Sequence, residues 1–192
     1  DGAHRRAEIR PERPGIRGGV MGASRVAFTV PGEAVPWKAP RVVRRGAHHV
    51  AISPRAMKNA QATVQSFAWK AMQDAGAEPI TGPVRLMIIV FKAKGMPTSV
   101  VGRTAAEMDA LRPTKGWDAS NVAKSTEDAL SGICFIDDSQ VVELHVEKRF
   151  SERPRIEIVV QPWRPSMETI GNLSIRGLAF TRWLNKWYPS DS

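Results

Sequence analysis

The sequence predicts an α+β fold built on a small mixed sheet with two main helices. Three observations predict it. Residues 84–91 (VRLMIIVF) form a nearly continuous apolar run of strand length. Residues 54–76 and 118–130 carry apolar side chains at helical spacing. The order of elements, read as strand, hairpin, helix, strand, helix and two strands, is that of an α+β domain.

Taken in order, residues 25–30 (RVAFTV) alternate and read as a strand, broken by Pro31-Gly32. Residues 35–40 (VPWKAP) are extended, because a residue before proline avoids the helical region. Residues 41–52 (RVVRRGAHHVAI) form a hairpin turning at Arg45-Gly46. Ser53-Pro54 opens a helix, serine as N-cap and proline as first helical residue, with Val64, Phe67, Ala68, Ala71 and Met72 as its apolar stripe. The run 84–91 is the candidate central strand. A loop with a short helix at 104–111 follows, then the helix 118–130, ended by Ser131-Gly132 with Gly132 left-handed. Residues 139–149 and 155–160 read as strands, and their short polar link makes them an antiparallel pair.

Residues 25–162 make one domain between two tails. Residues 1–24 are rich in Arg, Gly and Pro and read as a disordered basic arm. Residues 163–192 leave the plan, and the stretch 175–188 (IRGLAFTRWLNKWY) has the composition of an amphipathic helix, weakened by Gly171 and Gly177. Lys and Arg number 28 against 19 Asp and Glu, a net charge of +9. Such a surplus fits a polyanionic partner, nucleic acid before anionic membrane, with plain solubility as the alternative. Cys134 is the single cysteine, so no disulfide within the chain and no cysteine-based zinc site is expected. With no apolar stretch of membrane-helix length and no signal-peptide pattern in residues 1–24, a cytoplasmic protein that does not engage a membrane is expected.

The chemistry-bearing segment is 117–142, WDASNVAKSTEDALSGICFIDDSQVV. Asp118 opens a helix, and Asn121, Lys124 and Asp128 follow at spacings of three and four, on one face. Asp137 and Asp138 fall at the start of a strand. Carboxylates from a helix start and a strand start can meet at one point, and oxygen ligands of that kind suit magnesium or manganese. Ordinary roles account for the same residues: Asp118 and Ser120 as caps, Lys124–Asp128 as a surface ion pair, Asp137-Asp138 as a turn. His145 reads as a structural side chain, His48-His49 lack a carboxylate partner, and no phosphate-binding glycine loop is present, so no nucleotide cofactor is expected.

The segment resembles the RusA-type Holliday junction resolvases. Their pattern is an Asp-x-Asp-Asn-x-x-Lys helix, an Asp-Ala-Leu further along it and an Asp-Asp-x-Gln-Val strand start. Here these read Asp118-Ala119-Ser120-Asn121-Val122-Ala123-Lys124, Asp128-Ala129-Leu130 and Asp137-Asp138-Ser139-Gln140-Val141. Val30-Pro31-Gly32 and Pro36 through Arg41 are similar to the family's early Pro-rich strand and basic turn, so the resemblance spans roughly residues 26–161. One position departs: the second aspartate of the helix start is Ser120, which removes a ligand charge. Trp117 stands where proline is common, and is expected to pack rather than to stack on a base.

The resemblance implies a RusA-like fold and a magnesium-dependent endodeoxyribonuclease, manganese substituting, that cuts branched DNA in recombination and repair. It implies metal binding by Asp118 and Asp138 with Asp137, and charge stabilisation by Lys124. Ser120, Asn121, Asp128 and Gln140 are implied as supporting residues, and Lys38, Arg41, Arg44 and Arg45 as DNA contacts. It further implies a homodimer, from a bacterial cell or its phage. Competing readings are a junction binder that has lost catalysis, favoured by Ser120, a nuclease for other branched DNA, and a membrane-surface role for the C-terminal segment.

Overall fold

The computed structural model describes residues 25–45 and 48–165, the side chains of Arg45 and Val50 excepted. The expectations for the basic arm, for the residues of the hairpin turn and for the amphipathic segment lie outside these residues. The elements in order are β1 (Val26–Pro31), β2 (Arg41–Arg45), β3 (His48–Ile52), α1 (Arg55–Asp74), β4 (Val84–Lys92), α2 (Val100–Glu107), α3 (Ala119–Leu130), a 3-10 turn (Asp138–Gln140), β5 (Val141–Phe150) and β6 (Arg155–Pro162). A four-stranded sheet runs β1-β6-β4-β5, and β2-β3 form a separate ribbon. β4 is parallel to β5 and antiparallel to β6, so the sheet is mixed and the fold is α+β, as expected.

The expected pairing of the last two strands is not found: β4 lies between β5 and β6. Its apolar run explains this. Val84, Leu86, Ile88 and Val90 are fully buried, and a strand so apolar is better placed with a neighbour on each side than at an edge. β5, with Val142 and Leu144 exposed, takes the edge instead. The short link between β5 and β6 crosses the end of β4, where the Ser151 amide donates to the Lys92 carbonyl at 3.1 Å.

The register places Val26 and Val30, then Ile156, Ile158 and Val160, then Leu86, Ile88 and Val90 on one face. α1 and α3 pack on each other, α1 against β1 and α3 against β5, and close a core that includes Val64, Ala68, Met72, Val122, Ala129, Leu130 and Phe135. Truncating a fully buried Leu86 to alanine is expected to cost about 2–5 kcal/mol. The other face carries ion pairs, Arg85–Glu143 at 2.8 Å, Arg149–Glu147 at 2.7 Å and Arg155–Glu157 at 2.7 Å.

Three boundaries differ from expectation. α1 begins at Arg55, with Pro54 in the N-cap position and no side-chain cap, so Ser53 does not cap it. α2 begins at Val100, earlier than expected, because the Ser99 hydroxyl caps it by accepting from the Gly102 amide at 3.2 Å. β5 begins at Val141, because Asp138–Gln140 coil into a 3-10 turn. Gly132 has φ +78 just past α3, the left-handed position expected of it.

Candidate functional site

α3 forms because Val122, Ala123, Ala129 and Leu130 fall on one face and are buried there. Thr126 joins them at no polar cost, its hydroxyl donating to the Val122 carbonyl at 2.9 Å. Burial of that face turns Lys124 outward and leaves Asp128 half-buried. Asp118 is the N-cap residue, exposed, and its carboxylate makes no capping hydrogen bond. It stands at the positive end of the helix dipole, which favours a negative charge. Ser120, two residues on, is exposed.

The proline-rich segment before the hairpin is tied across this helix. The Trp37 amide donates to the Asn121 carbonyl at 2.8 Å, and the Lys38 amide lies 3.4 Å from the Met57 sulfur. The Lys124 ammonium sits 5.6 Å from the centre of the Trp37 ring and 3.9 Å from the Asp128 carboxylate. An exposed pair at that distance contributes little to stability.

Asp137 and Asp138 lie in a turn with its own fastenings. The Asp137 carboxylate accepts from the Ser139 amide at 2.9 Å, while the Gln140 side chain accepts from the Asp137 amide at 2.8 Å, a reciprocal cap. The Ser139 side chain and amide, with a contribution from Asp138, hold the Asp137 carboxyl below its ordinary value. The Gln140 amide also donates to the carbonyls of Ile80 at 3.0 Å and Gly82 at 2.8 Å, anchoring the turn to the segment that leads into β4.

Not all the expected acids gather at one point. Asp118 and Asp128 are ten residues apart along α3, a rise of about 15 Å, so they cannot share one ion directly. Among the described residues no three His, Cys, Asp or Glu side chains are grouped as a metal cage. The sequence reading missed Glu127. Burial and then the charge of Asp138 raise its carboxyl above the ordinary value, with Asp128 adding and Lys124 opposing. The charges of Asp128 and Asp138 both act on Glu127. A magnesium ion commonly uses one or two carboxylates, several waters and substrate phosphates, and the exposed carboxylates of Asp118 and Asp138 are each of the donor type it takes.

Lys38, Arg41 and Arg44 are exposed, as are His48 and His49 on the facing strand, so these basic residues lie on the surface. Trp117 packs against the core, as expected, with the Lys148 ammonium 5.8 Å from its ring centre. His145 is exposed and pairs with Glu147 at 2.7 Å. Cys134 is buried, which pushes its thiol up to about 12 and removes it as a nucleophile. Besides Glu127, sequence reasoning missed Trp37, Lys92 and Lys148. A lysine ending an alternating buried row was the available hint for Lys92, whereas Trp37 and Lys148 gain meaning only from their neighbours in space.

The family described as Endodeoxyribonuclease RusA matches residues 31–161, from the end of β1 to the last strand. The chain belongs to this family of endodeoxyribonucleases, the RusA-type Holliday junction resolvases. It is also 36% identical over 139 residues to YqaN of Bacillus subtilis (strain 168), a protein described as uncharacterized, covering 71% of this chain and 95% of that one. Among the described residues no helix is long and apolar enough to cross a membrane.

Proposed function

We propose that the protein resolves four-way DNA junctions by magnesium-dependent phosphodiester hydrolysis, with manganese as a substitute, in recombination and repair. It acts as a homodimer whose two sites cut symmetric strands, since a twofold enzyme matches a twofold junction. Its work lies in the bacterial cytoplasm, on a cellular or phage-borne gene, without a nucleotide cofactor or a membrane partner. The observation that carries the reading is the outward face of α3. Asp118, Asn121 and Lys124 lie there beside the anchored segment that leads into the basic ribbon.

Asp118 and Asp138 would hold the magnesium, with Asp137 beside them and Asp128 in support, and the bound ion supplies a polarised water and a Lewis acid for the phosphate. Lys124 places a cation against the charge that develops on phosphorus. Asn121 holds the Trp37 segment through its carbonyl, and Gln140 fixes the turn that presents Asp137 and Asp138. Lys38, Arg41, Arg44 and Arg45 bind phosphates and carry affinity without sequence information. Ser120 favours a second reading, a junction binder with little or no cutting. Asp118→Asn separates the roles: junction affinity is kept and cutting disappears. Undiminished cutting by a rigorously purified variant would overturn the assignment.

A further inference from the structure

β4 ends its buried row oddly. Val84, Leu86, Ile88 and Val90 are fully buried on the helix-facing side, and the next residue on that side is Lys92, itself only 9% exposed. An apolar side chain would serve the core better, because a buried ammonium gives up its water. The Lys92 ammonium donates to the Lys115 carbonyl at 2.8 Å. It also fills the place where a side chain on residue 116 would begin: a Cβ on Gly116 would lie 2.6 Å from the Lys92 nitrogen. Gly116 has φ +113, a conformation that L side chains rarely adopt. Two residues later comes Asp118, the exposed N-cap of α3. Trp117, between them, packs on the core under Lys148.

We infer that Lys92 is a positioning residue, a buried latch that clamps the Lys115-Gly116 backbone and so fixes the direction from which Asp118 enters the site. The inference rests on the nuclease reading for the role of Asp118, though the latch itself does not. Lysine supplies the length and the donor needed to reach a carbonyl in a loop 23 residues away in sequence. Glycine supplies the gap into which the ammonium fits.

The test uses the full chain with Lys92→Met, Gly116→Ala and the double variant. Lys92→Met keeps the length and apolar stem but removes the donor. Gly116→Ala keeps the lysine but adds a methyl group that must push the ammonium aside and also strains the backbone at φ +113, so Lys92→Met is the deciding variant. Three quantities are measured: amide hydrogen exchange of residues 112–121 without metal, junction affinity without metal, and turnover on a junction at saturating magnesium. Either single variant is expected to speed exchange in 112–121 about tenfold or more while leaving the central strands protected. Affinity stays within about twofold, because the phosphate contacts lie elsewhere. Turnover falls about 10- to 100-fold, the usual scale for a displaced catalytic group. The double variant loses less than the product of the two single losses, since both break the Lys92 contact and only Gly116→Ala adds backbone strain.

Unchanged exchange in 112–121 for Lys92→Met would overturn the latch. So would a loosened segment with undiminished cutting, because the latch would then hold nothing the reaction needs. If Lys92→Met loosens the whole chain while Gly116→Ala leaves 112–121 protected, Lys92 is a core residue only. A wild-type protein that cuts no junction defeats the nuclease reading, and the exchange arm still decides the latch.

Discussion

The two ends of α3 are electrically opposite. At its start, Asp118 follows a segment fastened by lysines: Lys92 holds the backbone of residues 115 and 116, and Lys148 lies over Trp117. At its end, Glu127 and Asp128 occupy the last turn, where the helix dipole disfavours acids, and the charge of Asp138 acts on Glu127. The start of the helix thus carries one exposed carboxylate just after a fastened segment. Its end keeps a half-buried Glu127 whose ionisation burial and the charge of Asp138 oppose. In the proposed reaction, Asp118 and Asp138 supply the carboxylates for the cation, and Lys124 lies on the same helix as Asp118.

Breaking the contrast at its middle gives the largest expected effect. Lys124→Ala should lower turnover about 10²-fold at saturating magnesium, the scale of losing one preorganised charge stabiliser, with junction affinity little changed. Steady-state cleavage of a labelled junction measures it. The next effect lies outside the helix. Each phosphate contact contributes about 0.9 to the salt slope of binding. Replacing Arg41, Arg44 and Arg45 together by alanine should therefore flatten the slope by about 2 to 3, read from junction titrations at several salt concentrations. An unchanged slope would remove the ribbon from the interface.

Two smaller effects sharpen the acidic end and its surroundings. Glu127→Gln removes a carboxyl that burial and Asp138 hold above its ordinary value. Folded Glu127 binds its proton more tightly than the unfolded chain does, so its contribution to stability declines as pH rises past the ordinary carboxylate range. The variant should accordingly melt slightly higher than wild type at pH 7, by less than about 1 kcal/mol, and the gain should shrink in acid. Glu147 gives the opposite sign. His145, then Arg149 and Arg112, hold its carboxyl down to about 2. The stability it contributes is complete above the ordinary glutamate value and is lost as pH falls from there to about 2. Solvent around this half-exposed group screens the effect, so the expected change is a shallow acid loss that Glu147→Gln removes, measured by melting between pH 2 and 6.

Much of the fold was legible because burial writes itself into the apolar pattern. The central place of β4 follows from its unbroken apolar run, and the buried faces of α1 and α3 follow from their spacing. The partners of β5 and β6 were not legible, since a polar link says where strands end and not which strand lies between them. The same division holds at the site. Asp118, Lys124 and Asp138 could be picked out from their spacing and from the resemblance of the segment to the family pattern. Glu127 beside Asp138, the Trp37 amide on Asn121 and the reach of Gln140 to Ile80 and Gly82 depend on contacts between distant segments, which no local pattern encodes.

The central claim is that this α3 face cuts branched DNA with a divalent ion. The most direct test incubates the protein with a labelled, mobile four-way junction and with a linear duplex of the same sequence, in magnesium and in excess chelator. The account predicts paired, symmetric nicks on the junction in magnesium alone, with the linear duplex intact. Tight junction binding with no cut in magnesium or manganese would contradict it and leave a silent junction binder in its place.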